Sequence, residues 1–218
     1  MPYAIDLHTH SAASPDGSLT YDDYRALLEQ GRLHYVAVTD HDTVEMALQL
    51  HAALGDRIIV GEEISTGEGE IIGLYLTKTI PPTATAAQAV KAIKAQGGLV
   101  YIPHPFETVR HGITGPVLQR IARDVDIIEV HNGRAIFQNF SSEALAWAKA
   151  HNIPGAASSD AHGRIGWGRT CSIIDQVPTR ENLPGLLGFA KLNRGFVGAR
   201  GVLYPKINRI RKKFNSAE

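Results

Sequence analysis

Two histidines near the N-terminus are spaced so that they can bind one metal ion together. His8 and His10 follow a short apolar run, and Asp16 comes six residues after the second histidine. In an extended chain the side chains of residues i and i+2 point to the same side, so both imidazoles can reach one ion. Imidazole and carboxylate ligands without thiolate favour Zn²⁺, Mn²⁺ or Fe²⁺. The sequence therefore predicts a divalent metal site at the start of the chain.

Further histidines and carboxylates recur at the carboxyl ends of later predicted strands. They lie in five short motifs: TDHD, with His41 between Asp40 and Asp42; GEEIS, with Glu62 and Glu63; PHPF, with His104; EVHNGR, with His131; and SSDAH, with Asp160 and His162. Catalytic groups of α/β barrels collect at that end of the strands. Because these groups exceed the ligands of one ion, we expect more than one metal, with a carboxylate shared between ions.

The elements that must position these motifs alternate between strands and helices. Strands are predicted at residues 3–7, 35–38, 57–60, 71–76, 99–102, 126–130, 155–158 and 170–174. Helices are predicted from Thr20, from Thr43, after the capping box of Thr85 and Gln88, and from Ser142. Repeated strand-then-helix order implies a parallel sheet covered by helices. In a chain of 218 residues it favours a small single-domain barrel over an open sheet.

Composition and charge narrow the class of protein. Hydrophobic residues make up 44% of the chain and charged residues 20%, as in an ordinary globular protein. The net charge is zero, but residues 191–218 carry +7 and the remainder −7. The single cysteine, Cys171, excludes an intrachain disulfide. No apolar run is long enough to span a bilayer and no leader is evident, so a cytoplasmic protein without a membrane partner is expected.

Taken in order, DLHTHS, TDHD, the Gly61-Glu62-Glu63 segment, PHPF, EVHN and SDAH resemble the polymerase and histidinol phosphatase (PHP) family. The resemblance spans residues 5 to 163. It implies a distorted seven-stranded (β/α) barrel, TIM-like in form, that holds up to three metal ions. It also implies a metallo-phosphoesterase domain, which we assign to residues 1–204. The charge of the remaining residues predicts a basic C-terminal helix or tail over residues 205–218.

The resemblance also assigns metal ligands, position by position. It implies a first metal on His8, His10, Glu63 and Asp160, a second on Glu63, His104 and His131, and a third on Asp16, His41 and His162. Glu62 competes with Glu63 for the bridging position, and the spacing of the motif favours Glu63. Asp40 and Asp42 are expected to orient His41 or its loop.

The implied chemistry is hydrolysis of a phosphomonoester or phosphodiester. A hydroxide between the ions bridged by Glu63 would attack in line, and the metals would neutralise charge on the phosphoryl oxygens. Catalytic roles fall to Glu63, Asp160, His41 and His162, the last two as general acids if a third ion is absent. Arg134 and Arg164 follow ligand motifs closely and are predicted to bind the substrate phosphate; Arg110, Arg169 and His111 are further candidates.

Several alternatives remain open at the level of sequence. The candidate substrates are a phosphorylated small molecule, a nucleotide and a short nucleic acid, the last favoured by the basic segment 205–213. Histidinol phosphate is a specific alternative. An amidohydrolase-type C–N hydrolase also begins with His-x-His, but it commonly bridges its metals with a modified lysine. A non-catalytic metal-binding module is disfavoured, because all nine ligand positions carry competent residues.

Overall fold

Nine strands form one continuous sheet in the computed structural model, which describes residues 2–136 and 138–215. The strands are β1 (Tyr3–Asp6), β2 (Tyr35–Val38), β3 (Ile58–Thr66), β4 (Gly69–Leu74), β5 (Leu99–Ile102), β6 (Ile127–Asn132), β7 (Gly155–Ser158), β8 (Thr170–Ile174) and β9 (Lys191–Arg194). The helices are α1 (Tyr21–Glu29), α2 (Glu45–Leu54), α3 (Ala86–Ala95), α4 (Gly115–Ile121), α5 (Ser141–His151), α6 (Leu183–Gly188) and α7 (Ala199–Asn215). The order across the sheet is β7-β6-β5-β4-β3-β2-β1-β8-β9.

The sheet comes close to closing into a barrel between β1 and β7. Just beyond these strands, Thr9 and Ala161 form a parallel bridge, and the backbone N–H of Asp160 donates to the carbonyl of His8 at 2.9 Å. Along the strands themselves, β8 lies between β1 and β7, and the Ala157 N–H of β7 donates to Ser172 Oγ of β8 at 3.0 Å. The predicted fold class, a single α/β domain with a distorted seven-stranded barrel, is confirmed.

The prediction of an all-parallel sheet was wrong at β4, which runs antiparallel to both β3 and β5. The turn between β3 and β4 has only two residues, Gly67 and Glu68. A parallel crossover needs a dozen or more residues, so this connection can only form a hairpin. The last two strands, β8 and the unpredicted β9, also pair antiparallel to their neighbours.

Alternation along the strands divides the core into two layers. Ile5, Ala37 and Ile59 face the barrel interior, whereas Val36 and Val38 face the surrounding helices. Leu183 and Leu187 of α6 close the interior at the end opposite the metal-ligand motifs. Apolar side chains thus fill this end of the barrel, and the histidines and carboxylates of the motifs lie at the carboxyl ends of its strands.

Two helices begin at the capping boxes that their sequences encode. Thr20 accepts from the Asp23 N–H, and Asp23 accepts in return from the Thr20 N–H at 2.8 Å. Thr85 and Gln88 form the same reciprocal pair ahead of α3. Each pair satisfies two N–H groups that a helix start leaves without partners.

Thr85→Ala is therefore expected to lower the free energy of unfolding by about 1 kcal/mol. For a domain of this size the loss corresponds to a fall in Tm of about 2–4 °C, measured by thermal denaturation. Thr85→Ser keeps the hydroxyl and serves as the matched control. Equal losses in the two variants would show that the cap contributes nothing.

The C-terminal helix α7 is fastened to the end of the barrel that carries the motifs. Buried Asn208 donates to the backbone carbonyls of Asp16 (2.7 Å) and His162 (3.1 Å), and Lys212 donates to the Ala12 carbonyl at 2.7 Å. The predicted boundary between the domain and its tail, at residues 204 and 205, falls inside this helix. Residues 216–218 of the predicted tail lie outside the described residues. Within residues 2–136 and 138–215, none of the helices has the length and apolar character to cross a bilayer.

Candidate metal centre

His8 and His10 direct their Nε2 atoms toward the same point. These two atoms are 3.0 Å apart, and both rings are fully buried. The other nitrogen of each ring is anchored: His8 Nδ1 lies 3.2 Å from Glu129 Oε1, and His10 Nδ1 lies 3.2 Å from Ser14 Oγ. Thr9, between them, turns the opposite way and donates to the Ala37 carbonyl. Hydrogen bonds at Nδ1 fix the ring orientation, as the outer partners of metal-binding histidines do.

Glu63 lies at the centre of the histidine cluster. Its Oε2 is 3.3 Å from His8 Nε2, 3.2 Å from His10 Nε2 and 3.5 Å from His41 Nδ1. Its Oε1 is 3.0 Å from His104 Nε2. A single carboxylate with its two oxygens toward different imidazoles would be able to hold metal together with either group of histidines.

Glu62 points away from this cluster because neighbouring residues of a strand face opposite sides. Its carboxylate accepts from the Ile80 N–H at 2.8 Å. Burial raises the pKa of Glu62 to about 7. Of the two glutamates, only Glu63 therefore faces the histidine cluster.

Asp160 uses its two oxygens for different partners. Oδ2 accepts from Arg110 at 2.6 Å and from Arg134 at 3.0 Å. Oδ1 faces three imidazoles, at 3.6 Å from His8, 3.4 Å from His10 and 3.3 Å from His162. The backbone of Asp160 has a φ of 52°, which a non-glycine residue adopts only at a cost. The arginines thus hold the carboxylate so that one oxygen stays directed at the cluster.

Asp16, His41 and His162 form the outer part of the cluster. Asp16 Oδ1 is 3.7 Å from His41 Nε2 and 3.5 Å from His162 Nε2, and it is buried without a hydrogen-bond partner. Asp40 and Asp42 fix the backbone around His41: Asp40 accepts from the Ser11 N–H and Asp42 from the Ser65 N–H. Their predicted role in holding this loop matches these contacts.

The structure does not bring His131 to the cluster. The pairing of β6 with β7 shifts register between Glu129 and His131, which changes the alternation of side chains along the strand. As a result Glu129 and Asn132 face inward, and His131 is half-buried outside the groups of potential ligands. This geometry gives no support to the implied role of His131 at a second metal.

Two carboxylates that sequence reasoning missed contact the cluster instead. Glu129 accepts from the His104 N–H at 2.6 Å in addition to its contact with His8. Glu70, on β4, lies 3.7 Å from His41 Nδ1 and 3.8 Å from His104 Nε2. The only sequence signal for Glu129 was an acidic residue inside a predicted strand, and the letters EVHN do not show that its side chain faces the cluster. The sequence contained no signal for Glu70, because its side chain reaches the cluster only through the hairpin of β3 and β4.

Only one of the two predicted phosphate-binding arginines lies at the cluster. Arg134 contacts Asp160, and its Nε is buried without a hydrogen-bond partner. Arg164 lies outside, with its side chain 76% exposed and paired with Asp23, so its predicted role is not supported by the geometry. Arg110 is present in the cluster but already engages Glu107 and Asp160.

The electrostatics of the cluster fit bound cations. Burial disfavours a charged imidazole, yet hydrogen bonds to Asp160 and Glu63 outweigh it and raise the pKa of His10 to about 9. Burial and the charge of Glu63 raise the pKa of Glu70 to about 9. The raised pKa values of His10 and Glu70 have one cause in common, which is the negative charge of the buried carboxylates around them. Bound cations would compensate the same charge.

The described part of the chain contains four sets of potential metal ligands, and within each set the ligand atoms lie within 4.8 Å of one another. They are His10, Asp16, His41 and His162; His8, His10 and Glu63; His8, His104 and Asp160; and Glu63, Glu70 and His104. Imidazole and carboxylate donors of this kind suit divalent Mn, Zn or Fe. Together with the orphaned Oδ1 of Asp16, these sets show that the residues fit divalent metal ions.

The cluster forms the floor of an open cleft of about 260 Å³. Its wall is completed by Arg110, His111 and Arg134, and by Pro205 and Arg209 of α7. A small ester can therefore reach the metal ligands from solvent.

Comparisons with known proteins agree with this geometry. No family model matches the chain. A two-domain protein from Bacteroides vulgatus, described as containing a predicted PHP-like metal-dependent phosphoesterase, superposes with a TM-score of 0.71 at 18% identity, over 96% of this chain and 70% of the other. An uncharacterized protein of Methanocaldococcus jannaschii is 31% identical over 58% of this chain and 80% of its own length.

A relative that matches nearly from end to end decides the family. A protein of Shewanella sp. strain MR-4, named as a probable phosphatase, is 30% identical over 92% of this chain and 94% of its own length. The chain belongs to the PHP family of metal-dependent phosphoesterases. This membership confirms the resemblance drawn from the motifs.

Two further solved structures with a similar fold are described as having different activities. The lesion-specific endonuclease EndoQ from Pyrococcus furiosus superposes with a TM-score of 0.62 at 17% identity, over 88% of this chain and 58% of the other. An amidohydrolase from Chromobacterium violaceum superposes with a TM-score of 0.57 at 19% identity, over 72% of this chain and 87% of the other. Likeness at this level shows the fold alone, so the reaction has to be argued from the site.

Proposed function

We propose that this PHP-family protein hydrolyses phosphate esters of small molecules or nucleotides with two or three divalent ions bound at the cluster. The observation that carries the proposal is the position of Glu63. Its carboxylate faces four imidazoles at 3.0 to 3.5 Å on the floor of an open cleft. His8, His10, His104, Asp160, Asp16, His41 and His162 supply the remaining ligands.

The residues around the ions bind and orient the ester. Divalent ions held by such a set lower the pKa of a bound water and neutralise charge on phosphoryl oxygens. Arg134 bonds to Asp160 through Nη1 and lines the cleft, so other N–H groups of its guanidinium can donate to a phosphoryl oxygen beside the ligands. Asp160 keeps one oxygen for metal while its other oxygen fixes Arg134, which couples the position of phosphate to that of the ions.

A nucleic-acid substrate is a second candidate, favoured by the charge of α7. This helix carries six basic residues and no acidic residue between Ala199 and Asn215. It forms part of the cleft wall through Pro205 and Arg209. A phosphodiester backbone would meet positive charge there, and its binding would weaken as salt is raised.

Amide hydrolysis is disfavoured by the absence of a lysine from the lining of the cleft in the described residues. Lys78, which follows a predicted strand, is exposed and its backbone N–H donates to Gln96. The side chain that lies between the imidazoles is the carboxylate of Glu63 and not a lysine.

The proposal is tested by a substrate screen of the purified protein. The screen contains 4-nitrophenyl phosphate, its bis ester, histidinol phosphate, a 3′,5′-bisphosphonucleoside, a short RNA and a panel of amides. We expect phosphoester hydrolysis that is lost on chelation and restored by Mn²⁺. Amide hydrolysis without phosphoester turnover, or phosphoester turnover that survives complete metal removal, would contradict the proposal.

Arg134→Gln is expected to lower kcat/KM for a phosphomonoester about 100-fold, because the variant loses a charged donor next to the ions. Arg164→Gln is the matched control, since Arg164 pairs with Asp23 outside the cleft, and its kcat/KM should stay within twofold of the wild type. Steady-state kinetics with metal content determined in parallel measure both. Equal losses in the two variants would remove Arg134 from the proposed site.

A further inference from the structure

The cleft above the metal ligands continues into a second cavity of about 400 Å³, here called the side cavity. His41, Glu70, His111 and Arg209 line both spaces and therefore lie at the junction between them. The rest of the side cavity is lined by Pro15, Asp42, Ser65 and Thr66. A phosphoryl group at the ligands would have the remainder of its substrate next to this junction.

Most of the residues that line the side cavity carry a polar or charged side chain. Seven of its eight lining residues carry a polar side chain, and Pro15 is the exception. Ser65 and Asp42 bond to each other at 2.8 Å, and Thr66 donates to the Gly69 carbonyl, so these groups are already arranged. These side chains can hydrogen-bond to oxygen atoms of a bound leaving group.

Arg209 is the fixed positive charge at the junction. Its Nη2 donates to Asp16 Oδ2 at 2.7 Å, while 59% of the side chain remains exposed. A guanidinium has five N–H donors, so one bond to Asp16 leaves others for a second oxygen group. Charged donors of this kind bind carboxylate and phosphate more strongly than neutral oxygen.

The helix that carries Arg209 is held against the loops of the site. Asn208, the preceding residue, bonds to the carbonyls of Asp16 and His162, and Lys212 bonds to Ala12. A Cβ added to Gly163 would come within 2.6 Å of the Tyr204 ring, so helix and loop are in direct contact there. These contacts fix α7, and therefore the backbone of Arg209, relative to the candidate metal ligands.

We propose that the side cavity binds the leaving group of the substrate and that Arg209 selects leaving groups bearing a carboxylate or a second phosphate. The inference rests on the proposed phosphoesterase function and narrows its substrate class to small, oxygen-rich esters with an additional anionic group. Arg209 is a specificity-determining residue in this account, because it contacts the part of the substrate that departs.

The test compares esters that differ mainly in the leaving group. Glycerol 3-phosphate and 3-phosphoglycerate have the same number of carbons, and only the second has a carboxylate; 2,3-bisphosphoglycerate tests a second phosphate. We expect the wild type to prefer 3-phosphoglycerate or 2,3-bisphosphoglycerate over glycerol 3-phosphate, and the preferred substrate identifies the anion. In Arg209→Gln this preference, expressed as a ratio of kcat/KM values, should fall at least about tenfold, mostly through KM.

Two controls make the result specific to Arg209. Arg209→Lys keeps the charge and should retain part of the preference, and Arg211→Gln removes a nearby exposed charge of α7 and should leave the ratio unchanged. Metal content of every variant is measured by mass spectrometry. Equal loss on all three esters with loss of metal would overturn the proposal and make Arg209 a positioning residue for Asp16.

The experiment distinguishes failure of the Arg209 proposal from failure of the proposed phosphoesterase function. Wild-type protein that hydrolyses 4-nitrophenyl phosphate but shows no preference for the anionic esters would overturn the role of Arg209 and leave the phosphoesterase proposal standing. Protein that hydrolyses no phosphoester with any divalent metal would overturn both.

Discussion

Glu63→Gln is expected to lower phosphoesterase activity by a factor on the order of 10³ and to reduce the bound metal, while the fold is retained. The substitution keeps the size of the side chain but removes the charge that faces His8, His10, His41 and His104. An amide has only one oxygen to offer, so it cannot serve two ions as a carboxylate does. Steady-state kinetics, metal analysis and circular dichroism of the same preparation measure the three expectations.

Glu62→Gln is the matched control for this experiment. The two glutamates are adjacent on β3 and equally buried, but Glu62 faces the Ile80 N–H on the other side of the strand. We expect Glu62→Gln to keep its metal and its activity within a few-fold of the wild type. If the control lost as much activity as Glu63→Gln, buried charge on this strand in general, and not the cluster, would be responsible.

Chelation of metal is expected to lower Tm by about 5–10 °C. A ligand present at 100 times its Kd stabilises the folded state by about 2.7 kcal/mol, and each kcal/mol corresponds to about 2–4 °C in a domain of this size. The physical reason lies in the buried carboxylates, since the charge of Glu63 opposes ionisation of Glu70 when no cation separates them. Thermal denaturation with a chelator and with saturating Mn²⁺ gives the difference.

The Glu63→Gln variant provides the internal comparison for this shift. Because it lacks the central ligand, its Tm should depend on metal much less than that of the wild type, whereas Glu62→Gln should keep the full dependence. A wild-type Tm that is the same with chelator and with Mn²⁺ would contradict binding at the cluster.

The sequence predicted the residues whose positions follow from local geometry. His8, His10, His41 and Asp160 come together because each lies within four residues after the carboxyl end of a barrel strand, and those ends meet at one rim. Glu63 lies within β3 at the same level, where its backbone bridges to that of His41. The capping box of α3 was predictable for the same reason, since it depends on four consecutive residues.

Features set by register or by distant contacts could not be predicted. The bulge in β6 turns Glu129 and Asn132 toward the cluster in place of His131, and nothing in the letters EVHN marks that shift. Glu70 reaches the site only because the two-residue turn folds β4 back along β3. Arg209 contacts Asp16 across 193 positions of sequence, a pairing that no local pattern encodes.

The central claim, that remote segments form one multinuclear metal centre, is tested most directly by anomalous diffraction from crystals of the Mn²⁺-loaded protein. We predict at least two peaks, one within bonding distance of His8, His10, Glu63 and Asp160 and another within bonding distance of Glu63 and His104. Peaks only at the protein surface, or none at saturating Mn²⁺, would contradict the account.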